Sequence, residues 1–259
     1  MQPVLKHGAV DPAAASDLPG PSRLRFEPEA CLFDLDGTLV DSEPLFEKSE
    51  EVLLGSWGME IDEELKHELF GRSAAAFLEI VASRFPDNSF NRIPLAERHV
   101  MKTQAFFEAA RGRIGTFPAT EALARELAAR GLPLAIASSS THEIIDFELE
   151  ATGLTQLFSV RVSATDVARG KPEPDVFIEA ARRLGRDPRR CVVFEDSYFG
   201  LVGAKAAGAF VVSFPAPGAA LGKFAAADIL VSGGPAAADP RALAEILFPG
   251  WNAAGGRSD

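Results

Sequence analysis

The sequence is short of cysteine, of long apolar runs and of basic charge, and each shortage removes a class of protein. Cys31 and Cys191 are its two cysteines, far apart in the chain and each at the start of a short apolar run. That usage fits buried reduced thiols and gives little support to a disulfide framework or redox chemistry. The longest apolar stretches are strand-sized, too short to cross a bilayer as a helix. The first thirty residues carry Asp11, Asp17, Glu27 and Glu29 and lack the apolar run of a signal peptide. A cytoplasmic protein with no membrane partner is therefore expected. Acidic residues number 37 against 26 basic ones, for a formal net charge of −11. This is the reverse of the footprint of a phosphate-backbone binder, so nucleic acid is not an expected partner. No internal repeat is visible.

What is present is a globular composition: 259 residues, 47% hydrophobic and 24% charged, enough to fold around a sizeable core. Residues 1–27 are rich in Ala, Pro and Ser without periodicity, and residues 251–259 end in Gly-Gly-Arg-Ser-Asp, so both are expected to be disordered tails. Between them, runs rich in Val, Leu, Ile and Phe at 31–33, 132–137, 157–162, 191–194, 209–214 and 228–231 alternate with helical patterns. That alternation predicts an α/β fold with a parallel sheet covered on both faces. The rhythm breaks once. Residues 44–113 are too many for a connecting loop and carry helical patterns at 44–56, 62–70, 73–84 and 94–111. An all-helical domain over 44–113, inserted into a core of residues 28–43 and 114–250, is the expected organisation.

Four polar segments follow predicted strands. Asp34-Leu-Asp36-Gly37-Thr38 stands where the first strand ends. Ligands of open parallel sheets bind beyond the carboxyl ends of the strands, so two carboxylates there face the ligand crevice; the bland alternative is a turn punctuated by Asp36 and Gly37. Ser138-Ser139-Ser140-Thr141 opens a helix, where hydroxyls and free amides suit an anion, although ordinary capping is the commoner use of such serines. Lys171 sits between Gly170 and Pro172, held more firmly than a surface lysine requires. Glu195-Asp196 ends the run at 191–194. If the first and fourth strands are neighbours, four carboxylates meet at one crevice. They would repel strongly without a cation, and an all-oxygen donor set suits Mg2+.

In order, FDLDGTLVDSEP, LAIASSS, GKPEPDVF and VVFEDSYFGLVGAKAAG resemble the four motifs of the haloacid dehalogenase superfamily, over residues 30–232. The helical insertion resembles the cap of the subgroup that includes phosphoglycolate phosphatase and beta-phosphoglucomutase. The resemblance implies a Rossmann-like core and a Mg2+-dependent phosphatase acting on a small phosphorylated metabolite, a sugar phosphate or related acid. It implies Asp34 as the nucleophile that becomes an aspartyl-phosphate and Asp36 as general acid and base. It further implies a metal held by Asp34, the Asp36 backbone carbonyl and Asp196, with Glu195 binding it directly or through water, and phosphoryl oxygens gripped by Gly37, Thr38, Ser138, Ser139 and Lys171. Arg72 is a candidate for reaching the substrate from the cap, and the basic Arg98 and Lys102 could bind a further anionic group.

Asp36 argues against the dehalogenases and phosphonate hydrolases of the superfamily, which lack an aspartate at that place. Phe46, Ala74 and Thr141-His142 stand where the mutases carry a histidine, an arginine and a Lys-Asn pair, so hydrolysis is favoured over mutation. A mutase-type isomerase and a non-catalytic phosphate-binding module are the alternatives. A monomer or weak dimer is expected.

Overall fold

The computed structural model describes residues 28–69 and 72–249; both expected tails, 1–27 and 251–259, lie outside them. Among the described residues six strands form one sheet: β1 (Ala30–Phe33), β2 (Leu134–Ser138), β3 (Val160–Ser163), β4 (Cys191–Glu195), β5 (Phe210–Ser213) and β6 (Ile229–Leu230). Their order is β3-β2-β1-β4-β5-β6, and every pairing is parallel. Every residue of β1, β2 and β4 is buried, which is why these segments read as unbroken apolar runs and do not alternate.

Helices cover both faces. On one, α5 (Pro118–Ala129), α6 (His142–Ala151) and α9 (Pro240–Leu247) bury Leu123, Leu127, Ile145, Leu149, Leu243 and Leu247. On the other, α7 (Asp175–Arg183) and α8 (Tyr198–Ala206) bury Val176, Phe177, Ala180, Leu201 and Ala204. Phe33 of β1 stacks on Phe194 of β4 with ring centroids 4.4 Å apart, so aromatic burial worth about 2–3 kcal/mol per ring fixes the two central strands against each other.

The run at 157–162 starts later as a strand than its sequence suggests. Leu154 and Leu157 belong to the turns after α6, closed by Leu154 N–H to the Leu149 carbonyl and Leu157 N–H to the Leu154 carbonyl. Leu154 and Phe158 still enter the core, from a turn. Apolar content marked the burial correctly but not the backbone that delivers it.

Between β1 and α5 lie α1 (Glu43–Ser56), α2 (Glu63–Leu69), α3 (Ala74–Arg84) and α4 (Leu95–Ala110). They gather an apolar cluster of their own, including Leu54, Leu65, Phe77, Val81 and Phe90. The chain leaves and re-enters the core through one paired crossing: Val40 bridges Thr116, and Asp41 N–H donates to the Gly115 carbonyl at 3.0 Å. Thr120 Oγ1, at the start of α5, donates to the Thr38 carbonyl at 2.6 Å and ties this crossing to the loop after β1. The helical segment is thus hung directly above the carboxyl edge of the sheet.

Candidate active site

The conditional neighbour relation holds: Leu32 of β1 pairs with Val193 of β4. Both chains leave the sheet side by side, so Asp34 and Glu195-Asp196 emerge together. One carboxylate oxygen from each of Asp34, Glu195 and Asp196 can be chosen so that all three lie within 4.8 Å of one another. Lys171, from the loop before α7, reaches in between, with Nζ 2.6 Å from Asp34 Oδ1 and 3.1 Å from Glu195 Oε1.

Burial, followed by the negative charge of Glu195, raises the pKa of Asp34 well above the usual carboxylate range; Lys171 pulls the other way. Asp196 is raised for the same two reasons, burial first. For Lys171, burial works against the charge, but Asp34 and Glu195 outweigh it and hold the ammonium above its ordinary value. Three carboxylates against one ammonium leave the pocket with negative charge to be neutralised. All the donors are hard oxygens at close spacing, and so these residues fit a divalent cation of the Mg2+ type.

The backbone makes room for this cluster. Gly37 has φ +75°, and a β-carbon there would run into the Asp196 carboxylate. Its own N–H donates to the Val40 carbonyl at 2.9 Å, so Gly37 serves the site by conformation and space, with its amide already engaged. Thr38 Oγ1 donates to Asp196 Oδ1 at 3.0 Å and thereby orients that carboxylate.

Asp36 is held from two sides. Ser42 Oγ donates to Oδ1 at 2.7 Å, while Ser140 Oγ at 2.8 Å and Ser138 Oγ at 3.3 Å share Oδ2. Ser138 is fully buried and also accepts the Ser140 N–H, whereas Ser139 lines the open cavity. Arg72 lines the same cavity from the helical segment and stacks over the Phe199 ring, 4.7 Å from its centroid. Lys102 is buried and paired with Glu50 at 2.7 Å, and Arg98 donates to Asn91. Lys102 thus spends its charge on a carboxylate of the helical segment, while Arg98 meets a neutral amide there and keeps its buried Nε without a hydrogen-bond partner.

Sequence reasoning missed Ser42, Ser140 as an Asp36 partner, Gly200, Glu43 and Glu148. Glu148 is fully buried on α6 with neither carboxylate oxygen hydrogen-bonded, and burial, then the charge of Asp36, raises its pKa well above the usual range. Its spacing was the available signal: with Ile144, Ile145 and Leu149 it stands on the inward stripe of α6.

Comparison with known proteins agrees with the geometry. A parallel α/β sheet with an acidic crevice beyond its carboxyl edge defines the class, and a family model described as haloacid dehalogenase-like hydrolase matches residues 28–208. The chain belongs to the haloacid dehalogenase-like hydrolases. It is 32% identical over 206 residues to hexitol phosphatase B of Escherichia coli (strain K12), covering 78% of this chain and 91% of that protein. It is 31% identical over 186 residues to the bifunctional riboflavin kinase/FMN phosphatase of Arabidopsis thaliana, covering 71% of this chain and 48% of the other, so it spans about half of that relative's length. The crystal structure of CbbY from Rhodobacter sphaeroides in complex with phosphate superposes with a TM-score of 0.70 at 30% identity, covering 78% of this chain and 93% of that one. No helix among the described residues is long and apolar enough to cross a membrane.

Proposed function

We propose that this chain, a phosphoric monoester hydrolase of the haloacid dehalogenase-like family, hydrolyses a small sugar phosphate or related acid through an aspartyl-phosphate on Asp34, under a cap formed by residues 44–113. The observation that carries the reading is the pairing of Asp34 Oδ1 with Lys171 at the mouth of β1, beside a second carboxylate, Asp36, held by hydroxyls. In this reading one carboxylate attacks and the other moves a proton, which divides one hard displacement into two easier ones.

Asp34 would attack phosphorus while Lys171 and the Ser139 segment grip phosphoryl oxygens. Asp36 would give its proton to the departing alcohol oxygen and later take one from the attacking water. Its two oxygens are fixed by Ser42 and Ser140, so its reach is set before substrate arrives. Asp34, the Asp36 backbone carbonyl and Asp196 would hold Mg2+, with Glu195 beside them orienting Lys171. Bound there, the ion supplies positive charge that offsets the crowded carboxylates and the phosphoryl group. Arg72 would close on the substrate from the cap.

Phosphate release from a panel of phosphorylated metabolites tests the reading, with Asp34→Asn alongside. The variant keeps the shape but lacks the attacking oxygen, so turnover should fall at least about a thousand-fold with the fold intact by circular dichroism. Residual activity above about a tenth of wild type would remove Asp34 from the nucleophile's role.

A further inference from the structure

A cavity of about 500 Å3 opens between the helical segment and the carboxyl edge of the sheet. That volume lies within the range of small-molecule sites. Its charges are unevenly committed. Lys171 is spent on Asp34 and Glu195. Arg72 lies over the ring of Phe199, at the start of α8. His99 lines the cavity from α4, and burial, followed by the neighbouring Arg98 and Lys102 charges, lowers its pKa and so favours the uncharged ring.

Glu143 is the exception. It stands in the first turn of α6 on the cavity wall, exposed, and it has no ion-pair or hydrogen-bond partner among the described residues. Around the same cavity the remaining polar side chains include the hydroxyls of Thr103, Thr141 and Thr165. Among the described residues the cavity wall thus presents an exposed, unpaired carboxylate together with neutral hydroxyls. A carboxylate accepts hydrogen bonds from substrate hydroxyls and repels a second phosphate.

We propose that Glu143 is a specificity-determining residue: it receives hydroxyls of a substrate that carries a single phosphate and turns away substrates with a second phosphate. The inference rests on the phosphatase reading above. It assigns to the first turn of α6 a discrimination that the reacting groups themselves cannot make, because every candidate substrate offers them the same phosphoryl group.

The test compares kcat/KM for glucitol 6-phosphate and fructose 1,6-bisphosphate in wild type, Glu143→Gln, Glu143→Lys and Glu150→Lys. Glu150 is exposed on the same helix but does not line the cavity, so its variant makes the same charge change elsewhere. Wild type should favour the monophosphate by about 100-fold or more, and Glu143→Lys should narrow that ratio at least about tenfold, mainly through a lower KM for the bisphosphate. Glu143→Gln should fall between, and Glu150→Lys should leave the ratio where it was. A wild-type preference for the bisphosphate would overturn the inference. So would a Glu143→Lys ratio within about twofold of wild type, or an equal shift in Glu150→Lys. Those outcomes leave the phosphatase reading standing, whereas a wild type that frees phosphate from no metabolite overturns both.

Discussion

Gly200 lies so close to the Glu195 carboxylate that a β-carbon at position 200 would overlap Glu195 Oε1. The same oxygen accepts Lys171 Nζ at 3.1 Å and Ser197 Oγ at 2.9 Å. A glycine in the first turn of α8 is therefore a condition for the lysine that neutralises Asp34.

Gly200→Ala should cost about 1–3 kcal/mol by overpacking a fully buried carboxylate. It should also lower phosphatase turnover at least about tenfold, because Lys171 loses its second anchor. Urea unfolding and phosphate release measure the two effects. A variant matching wild type in both would mean that α8 shifts freely, contrary to this packing.

Metal removal should abolish activity. EDTA should stop phosphate release and Mg2+ restore it, while Ca2+ should inhibit, because its larger and looser coordination shell misplaces the attacking carboxylate. Mg2+ should also raise the melting temperature, since a cation that binds the folded crowd of Asp34, Glu195 and Asp196 stabilises it by mass action. Full turnover in EDTA would contradict the assignment of these carboxylates to a metal.

The pH dependence of stability has a definite sign. Glu43, at the start of α1, is pushed up to about 8 by burial first, then by the charges of Asp36 and Glu50, from an ordinary value of 4.5. Between those values the folded chain holds a proton that the unfolded chain has lost, so stability falls as pH rises through the window. Metal-free protein should have a lower urea midpoint at about pH 8.5 than at about pH 6, and Glu43→Gln should reduce the difference. Asp34, Asp196 and Glu148, also raised, keep part of the slope. An unchanged slope in Glu43→Gln would mean that Glu43 titrates as an exposed carboxyl.

Hydrolase and mutase differ in what they do with the aspartyl-phosphate. Phe46 is stacked on Phe106 with ring centroids 4.0 Å apart, so this position packs where a mutase would place a polar histidine. With beta-glucose 1-phosphate and a catalytic amount of the bisphosphate, free phosphate should appear without accumulation of glucose 6-phosphate. Glucose 6-phosphate forming much faster than phosphate would establish the isomerase instead.

The order of elements was legible in the chain because its central strands are buried on both faces and so are written as short apolar runs, separated by helix-period segments and interrupted once over residues 44–113. The placement of Asp34, Asp36, Lys171 and Asp196 after strands, and of Glu195 at the last position of β4, was legible too, since the carboxyl ends of parallel strands face the crevice. Only the tertiary structure decided how they are used. The adjacency of β1 and β4 brought Asp34 to Glu195, and the meeting of the loops after β1 and β2 gave Ser140 to Asp36. It also committed Thr38 to Asp196, the Gly37 amide to Val40 and Lys102 to Glu50, and it made Gly200 a matter of space. Local sequence fixes which backbone a residue prefers and which face it buries. Partners 100 or more positions away, as Ser140 is from Asp36 with a separation of 104, are set by strand order and crossover packing, which no local pattern encodes.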